Sequence, residues 1–511
     1  MEKDTKISNR VKKNIIIHPW LLALAPIISL YDHNKDVAEF HYVIRPLVIS
    51  LILITISSLA INIFIQNYRK SAIISSLWVV SFFLFTYFAK LFVWLNPWVD
   101  YNLLALVIFF IFLTSLSIII ATTKKSLQDI TQLLNIFALV VLLLPTISAS
   151  AYNLKNRPDI FQNNQITENV PTKADAPDIY YIILDGYGRN DVLKNLYHYD
   201  NSEFTNFLSD QGFYVASASH SNYPQTFLSL GSSFNMDYLD NLDVKFDPNS
   251  KDRMAIRKVI ENNKVDNFLK SRGYTTVTWA GSYQMLKADM KIDYPLASSE
   301  FEDLIKDTTP LGLFIDPYHK FNLYKKKFLY LFDRLKNISA IKEPTFSYIH
   351  ILSPHPPFIF DQNGNFSTEK ICNKDGSDYL ALCPGADKYR KNYTQQLIFL
   401  NKKVEEAVNE IIKNSPQPPI IIIQGDHGPG SNLDWTSLKN TDINERFPIL
   451  NAYYVPEDIK TKLYPKISPV NTFRLIFNTV FNTNFELLED KSYFAIWKYP
   501  YNFTEVTTQL K

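Results

Sequence analysis

The apolar residues of this chain are unevenly spread. Up to about residue 153 they come in long runs; after about residue 177, short apolar runs alternate with amphipathic and polar stretches. The front runs are Ile15–Tyr31, Val48–Gln66, Ala72–Leu95, Leu103–Thr122 and Ile130–Ala151. Each approaches or exceeds the roughly 20 apolar residues with which a helix crosses a bilayer. Residues 1–153 are therefore expected to form a transmembrane helical bundle of about five spans. The first run is short and interrupted by Pro19 and Pro26, so a re-entrant or interfacial helix is its alternative. It lacks a small-residue cleavage site and further spans follow, so a removable signal peptide is not expected.

Residues 154–177 are polar and aperiodic, the composition of an exposed linker. Residues 178–511 then read as a globular domain. Ile179–Leu184, Tyr274–Ala280, Thr345–Ile351 and Phe447–Tyr454, with the isoleucines that begin at Ile420, are expected strands. Asn201–Gln211 and Tyr393–Asn414 are expected helices. Such alternation predicts a parallel or mixed sheet with helices on both faces, an α/β/α sandwich.

Basic residues orient the bundle. Lys3, Lys6, Arg10, Lys12 and Lys13 precede the first run, Arg69 and Lys70 follow the second, and Lys124 and Lys125 follow the fourth. With five spans these lie on one side, which the positive-inside rule makes the cytoplasm. Lys35 and Arg45 are exceptions. The large domain is then expected outside the cytoplasm, anchored in a bacterial inner membrane. The net charge of +2 gives no sign of nucleic-acid binding through a basic face, and no nucleic-acid partner is expected.

Two strands end in the same chemistry. Ile179–Leu184 runs into Asp185-Gly186, and Ile420–Gln424 runs into Gly425-Asp426-His427-Gly428. Carboxylates and an imidazole at the carboxyl ends of buried strands suit a divalent metal, zinc or manganese. The segment Ser221–Met236 supplies a hydroxyl. Pro224 stops what precedes it, and Thr226 stands at an expected helix start, where free N–H groups and the helix dipole favour a phosphate or sulfate. The bland alternative is that Thr226 is only an N-cap. Ser229 and Ser232 are weaker nucleophile candidates. His350, inside the strand Thr345–Ile351, reads as a buried hydrogen-bonded histidine. His355, in Ser-Pro-His-Pro-Pro, reads as catalytic. The two cysteines, Cys372 and Cys383, are expected to form a disulfide in an oxidising compartment.

These segments resemble the alkaline phosphatase superfamily, specifically its sulfatase-like branch. The membrane bundle ahead of such a domain is similar to phosphoethanolamine transferases and lipoteichoic acid synthases. The resemblance implies Thr226 as nucleophile, His355 near the leaving group, and Asp185, Thr226, Asp426 and His427 as metal ligands. Asn222 and Arg446 are the candidate substrate-binding residues, with Lys439 the alternative to Arg446 for holding the anion. The first ligand is Glu in those two families and Asp185 here. Classical sulfatases carry C-x-P-x-R or S-x-P-x-R; this chain has neither, so sulfate-ester hydrolysis is not expected. No histidine follows His427, which leaves a second metal site of the two-zinc type incomplete. The implied function is transfer of a phosphate-linked group between phospholipid or envelope-glycan substrates through a phospho-threonine. A phosphodiesterase or phosphatase using the same site, and a non-catalytic envelope protein, are the alternatives.

Overall fold

The computed structural model describes residues 15–36, 38, 40–95, 102–155, 176–242, 246–279, 286, 288–292, 294, 299–314, 317–335, 337–367 and 385–511. The chain divides into two compact units, Met1–Arg157 with Ser298–Lys320, and Pro158–Ala297 with Phe321–Lys511.

The first unit contains α1 (His18–His33), α2 (His41–Ile65), α3 (Tyr68–Leu95), α4 (Asn102–Thr122) and α5 (Gln128–Lys155). Among the described residues, four helices, α2 to α5, are long and apolar enough to cross a membrane. The expected first span, α1, has 16 residues, roughly 24 Å of helix against a hydrocarbon core of about 30 Å. It packs against α5, α2 and α3 and buries Leu22, Ala23, Ala25, Ile27 and Tyr31. Asn135 of α5 satisfies the start of α1: its Oδ1 accepts from the N–H groups of Ile17 at 3.1 Å and His18 at 3.0 Å. The two basic exceptions both have partners. Lys35 Nζ lies 2.6 Å from Asp32 Oδ1 and 2.7 Å from Ser148 Oγ, and Arg45 Nε lies 2.6 Å from Glu302 Oε1. Two short helices from the middle of the chain, Glu300–Asp307 and Leu311–Phe314, belong to this unit.

The second unit is built on seven strands: β1 (Ile179–Leu184), β2 (Tyr214–Val215), β3 (Thr275–Trp279), β4 (Met290–Ile292), β5 (Thr345–Ile351), β6 (Ile420–Gln424) and β7 (Asn451–Tyr454). Their order across the sheet is β2-β7-β6-β1-β5-β3-β4. β6, β1, β5, β3 and β4 run parallel, and β7 and β2 form an antiparallel edge. β1 lies central and apolar on both faces because both faces are covered. Ile179, Tyr181 and Ile183 join one core with Ile420, Ile422, Phe346 and Tyr348. Over this core lie α6 (Thr226–Asn235), through Leu228, Leu230 and Phe234, and Phe473 and Phe477 of a later helix, Pro469–Val480. Tyr180, Ile182 and Leu184 join the opposite core with Ile421, Ile423, Ile349 and Ile351. The long helix α7 (Ala386–Asn414) covers that side through Tyr393, Leu397, Leu400 and Val404. The side-chain period of two thus feeds two cores from one strand, and the result is an α/β/α sandwich.

Some boundaries move. The expected strand Phe447–Tyr454 is only Asn451–Tyr454, because Phe447 closes the helical turn Ile443–Arg446 and Pro448 has no N–H for a ladder. α7 begins at Ala386, ahead of the expected Tyr393. Cys372 and Cys383, expected as a disulfide, lie outside the described residues.

Candidate active site

Three neighbouring strands, β6, β1 and β5, end side by side. In register, Ile183 faces Gln424 on one side and His350 on the other. The chain therefore leaves β1 at Asp185 and β6 at Asp426-His427 on one sheet edge, the place where open α/β sheets bind ligands. Asp185, Asp426 and His427 are all buried.

Gly186 has a φ of +72°, and its Cα faces His355 and His427: a Cβ there would lie 3.7 Å from each. This left-handed turn, open to glycine, lets the chain reverse between the two histidines. Tyr393 of α7 pins the same loop, donating from its hydroxyl to the Gly186 carbonyl at 2.9 Å and accepting from the Gly188 N–H at 3.1 Å. Gly428 is required for a different reason. A Cβ there would stand 2.2 Å from the Glu445 carbonyl oxygen.

The carboxylates are half satisfied. Asp426 Oδ1 accepts from the Gly186 and His427 N–H groups, both at 3.0 Å. Asp185 Oδ2 lies 3.1 Å from His350 Nε2. The other two oxygens, Asp185 Oδ1 and Asp426 Oδ2, are buried and have no hydrogen-bond partner. They lie 3.5 Å and 3.4 Å from His427 Nε2. The His427 ring sits with Nδ1 2.9 Å from the Gly428 carbonyl oxygen, which accepts the Nδ1 proton and leaves the Nε2 lone pair facing the carboxylates. Thr226 Oγ1 is 3.2 Å from that same Nε2. Gln225, with extended φ and ψ of −117° and 135°, is the residue that caps α6, and its side chain makes no cap bond. Thr226 is the first helical residue, so its hydroxyl is not spent as a cap.

Buried oxygens without partners are costly, and two carboxylates facing one point repel. The donor set, carboxylate oxygens with imidazole nitrogen, fits a divalent cation of the zinc or manganese kind. Burial by itself raises the Asp185 carboxyl, but the charge of His355, then the hydrogen bond and charge of His350, then the charge of His427 outweigh it and hold Asp185 below the usual carboxylate range.

His350 is the residue that sequence reasoning left out of the site. Ligand atoms of Asp185, His350 and Asp426 all lie within 4.8 Å of one another. It is indeed buried and hydrogen-bonded, but its partner is a site carboxylate. The available signal was its place in an otherwise apolar and hydroxyl-bearing strand, in register beside the last turn of β1. His355 follows β5, between the cis peptide bonds Ser353–Pro354 and Pro356–Pro357. Its Nδ1 is 2.7 Å from the Pro356 carbonyl oxygen. Its ring centroid is 6.2 Å from that of His427.

The two expected substrate contacts are placed differently. Asn222 is fully buried and its amide is committed: it donates to Ser468 Oγ and the Lys491 carbonyl and accepts from the Val470 N–H. Arg446 is buried too; its Nε donates to the Pro224 carbonyl at 2.9 Å and its Nη1 to the Gly428 carbonyl at 3.0 Å. It ties the loop before Thr226 to the loop after His427.

Residues 177–466 match the family model described as Sulfatase. The chain belongs to the sulfatase family. Its sandwich and the strand-end site just described are the sulfatase domain, joined to an apolar helical unit. No curated protein matches the chain. Solved structures similar to it include the C-terminal periplasmic domain of phosphoethanolamine transferase EptC from Campylobacter jejuni, 12% identical over 62% of this chain and 95% of that one, with a TM-score of 0.40. The integral membrane lipooligosaccharide phosphoethanolamine transferase A from Neisseria meningitidis is 11% identical over 89% of this chain and 94% of that one, with a TM-score of 0.40. The C-terminal periplasmic domain of EcEptC from Escherichia coli, in complex with Zn, is 11% identical over 66% and 94%, with a TM-score of 0.41.

Proposed function

We propose that this sulfatase-family chain is a membrane-bound, metal-dependent phospho-group transferase that works through a phospho-threonine at Thr226. One observation carries the reading: Thr226 Oγ1 stands 3.2 Å from His427 Nε2, beside the partnerless buried oxygens of Asp185 and Asp426. Asp185, Thr226, Asp426 and His427 would hold one divalent metal, zinc or manganese, with His350 as a further donor. When bound, such a metal lowers the pKa of a coordinated hydroxyl and offsets charge on phosphoryl oxygens.

The chain's own residues do the rest. Thr226 lies at the amino end of α6, where the helix dipole and free N–H groups favour the anionic phosphoryl group. Thr226 enters the cycle with its hydroxyl ionised, and Oγ1 forms a bond to phosphorus as the bond from phosphorus to the leaving oxygen breaks; the second half returns it in the same ionised state. His355 delivers the proton that the leaving oxygen needs. In the second half, an acceptor hydroxyl forms its bond to phosphorus, the bond to Thr226 breaks, and His355 takes the acceptor's proton. The absence of a formylglycine sequence favours phosphate over sulfate esters. Four helices long and apolar enough to cross a membrane, with basic loops on one side, support a bacterial cytoplasmic-membrane location, a catalytic domain outside, and a phospholipid or envelope-glycan substrate.

The test is intact-mass analysis of the full chain quenched with phospholipid substrate. A phospho-adduct on Thr226, absent from Thr226→Ala, is expected. Thr226→Ser should retain part of the activity, since the hydroxyl survives. Near wild-type turnover by Thr226→Ala would sink the proposal and move the nucleophile to Ser229 or a metal-bound water, which is the hydrolase reading.

A further inference from the structure

The stretch Ser299–Phe314 lies in sequence between β4 and β5 of the sulfatase domain, yet it folds with the helical unit. Its contacts all fall at one end of that unit. Phe301 sits in a cluster with Ile27, Ile28 and Tyr31 near the end of α1, Val43 near the start of α2, and Ala149 near the end of α5. Glu302, only 11% exposed at its side chain, pairs with Arg45 at 2.6 Å. Thr86, in the later half of α3, donates to the Thr308 carbonyl at 2.7 Å. Leu313 packs against a cluster made of Phe85 and Ala89 of α3 with Ala105, Leu106, Phe109 and Leu113 of α4. Ends of α1, α3 and α5 and starts of α2 and α4 alternate on one face of an up-and-down bundle.

The stretch also reaches below that face. Phe85 precedes the end of α3 at Leu95 by ten residues (95 − 85), roughly 15 Å of helix. Phe109 follows the start of α4 at Asn102 by seven (109 − 102), roughly 10 Å. The cluster against which Leu313 packs therefore extends past the helix tips along apolar turns of both helices. On either side of Leu313 the stretch leaves large apolar side chains exposed: Leu311 is 46% exposed and Phe314 73%. Leu304, in the helix Glu300–Asp307, is exposed as well. A Ser299–Glu302 capping box closes the amino end of Glu300–Asp307, so the element is formed without relying on those outward contacts.

We propose that Ser299–Phe314 is a membrane-seated insertion of the sulfatase domain, with Phe301 and Leu313 docked on the bundle and Leu311 and Phe314 in contact with lipid at the headgroup–acyl boundary. The occupant of the outer face is phospholipid, because Leu313, between these two residues, packs on α3 and α4, which are long and apolar enough to cross a membrane and whose Tyr87, Leu103 and Leu104 are likewise exposed, and an aromatic ring is favoured at that depth.

The experiment uses the full chain in vesicles of phosphatidylethanolamine and phosphatidylglycerol, with a photoreactive phenylalanine at position 314 or, separately, at 313. Position 314 should give peptide–phospholipid adducts, and position 313 should give crosslinks to peptides of α3 or α4. Adducts at 314 only with water or a second copy of the chain would overturn the proposal, as would the lack of intrachain crosslinks from 313. The readout is a lipid mass and not turnover, so a Thr226→Ala background should give the same pattern whether or not the transferase reading stands.

Discussion

Arg446 and His427 meet at one atom: the carbonyl oxygen of Gly428 accepts from Arg446 Nη1 at 3.0 Å and from His427 Nδ1 at 2.9 Å. The same guanidinium reaches the Pro224 carbonyl two residues before Thr226. A buried arginine thus sets the tautomer-defining acceptor of one site residue and the approach of another. Arg446→Met should lower stability by about 2–3 kcal/mol, for the loss of charge-assisted hydrogen bonds. Metal affinity should fall by about 10–100-fold, the usual effect of removing a group that orients a ligand. Thermal melts and competitive metal titration read the two effects; unchanged affinity would reduce Arg446 to a packing residue.

His350→Gln separates two roles. A glutamine can still donate to Asp185 Oδ2, now 3.1 Å from the histidine, but offers no imidazole nitrogen. If His350 is a donor to the metal, bound metal per chain should drop while the melt of the metal-free protein stays near wild type. Full metal content in the variant would assign His350 to orienting Asp185 alone.

Gly428→Ala should be among the most damaging single changes. The new Cβ would lie 2.2 Å from the Glu445 carbonyl oxygen and 2.9 Å from that of Pro448, and backbone cannot swing aside as a side chain can. A loss of about 3 kcal/mol or more is expected, read as a large fall in melting temperature or in folded yield. A variant that melts like wild type would mean the loop relaxes freely.

His220 makes stability depend on pH. Burial, and then the charge of Arg189, push its imidazole down to about 4 from the ordinary 6.5; Arg189 Nη1 lies 3.3 Å from its Nε2. The folded chain holds the neutral ring, so between pH 6.5 and about 4 the unfolded chain binds the extra proton. Stability therefore falls as pH drops through that window, by an amount on the order of 3 kcal/mol. Denaturation at pH 7 and pH 4.5 should show the difference, and His220→Gln should shrink it; an equal slope in the variant would assign the pH dependence to other groups.

Much of the site was legible one strand at a time. Six consecutive buried residues before Asp185 and the isoleucines before Asp426-His427 already say that two core strands end in carboxylate and imidazole groups. Pro224 followed by an apolar run marks the start of α6 at Thr226, and the structure begins that helix there. His350 was missed because a lone histidine in a strand is usually just satisfied, and its satisfying partner belongs to a different strand. Asn222, expected as a substrate contact, turns its amide to Ser468, Val470 and Lys491, partners far from it in sequence.

The chain's own pattern of apolar residues determined the division into an apolar helical part and an α/β part, and the strands that carry Asp185 and Asp426. Those features are local: a helix long enough to cross a bilayer or a strand buried on both faces needs only its own residues to declare it. Tertiary structure decided what register and long-range packing alone can decide. Pairing β1 with both β5 and β6 brings His350, Asp185 and Asp426 within 4.8 Å. Burying both carboxylates leaves one oxygen of each without a partner. Folding Ser299–Phe314 against α1 to α5 takes a piece of the sulfatase domain's sequence into the helical unit, because Phe301 and Leu313 find their apolar partners there.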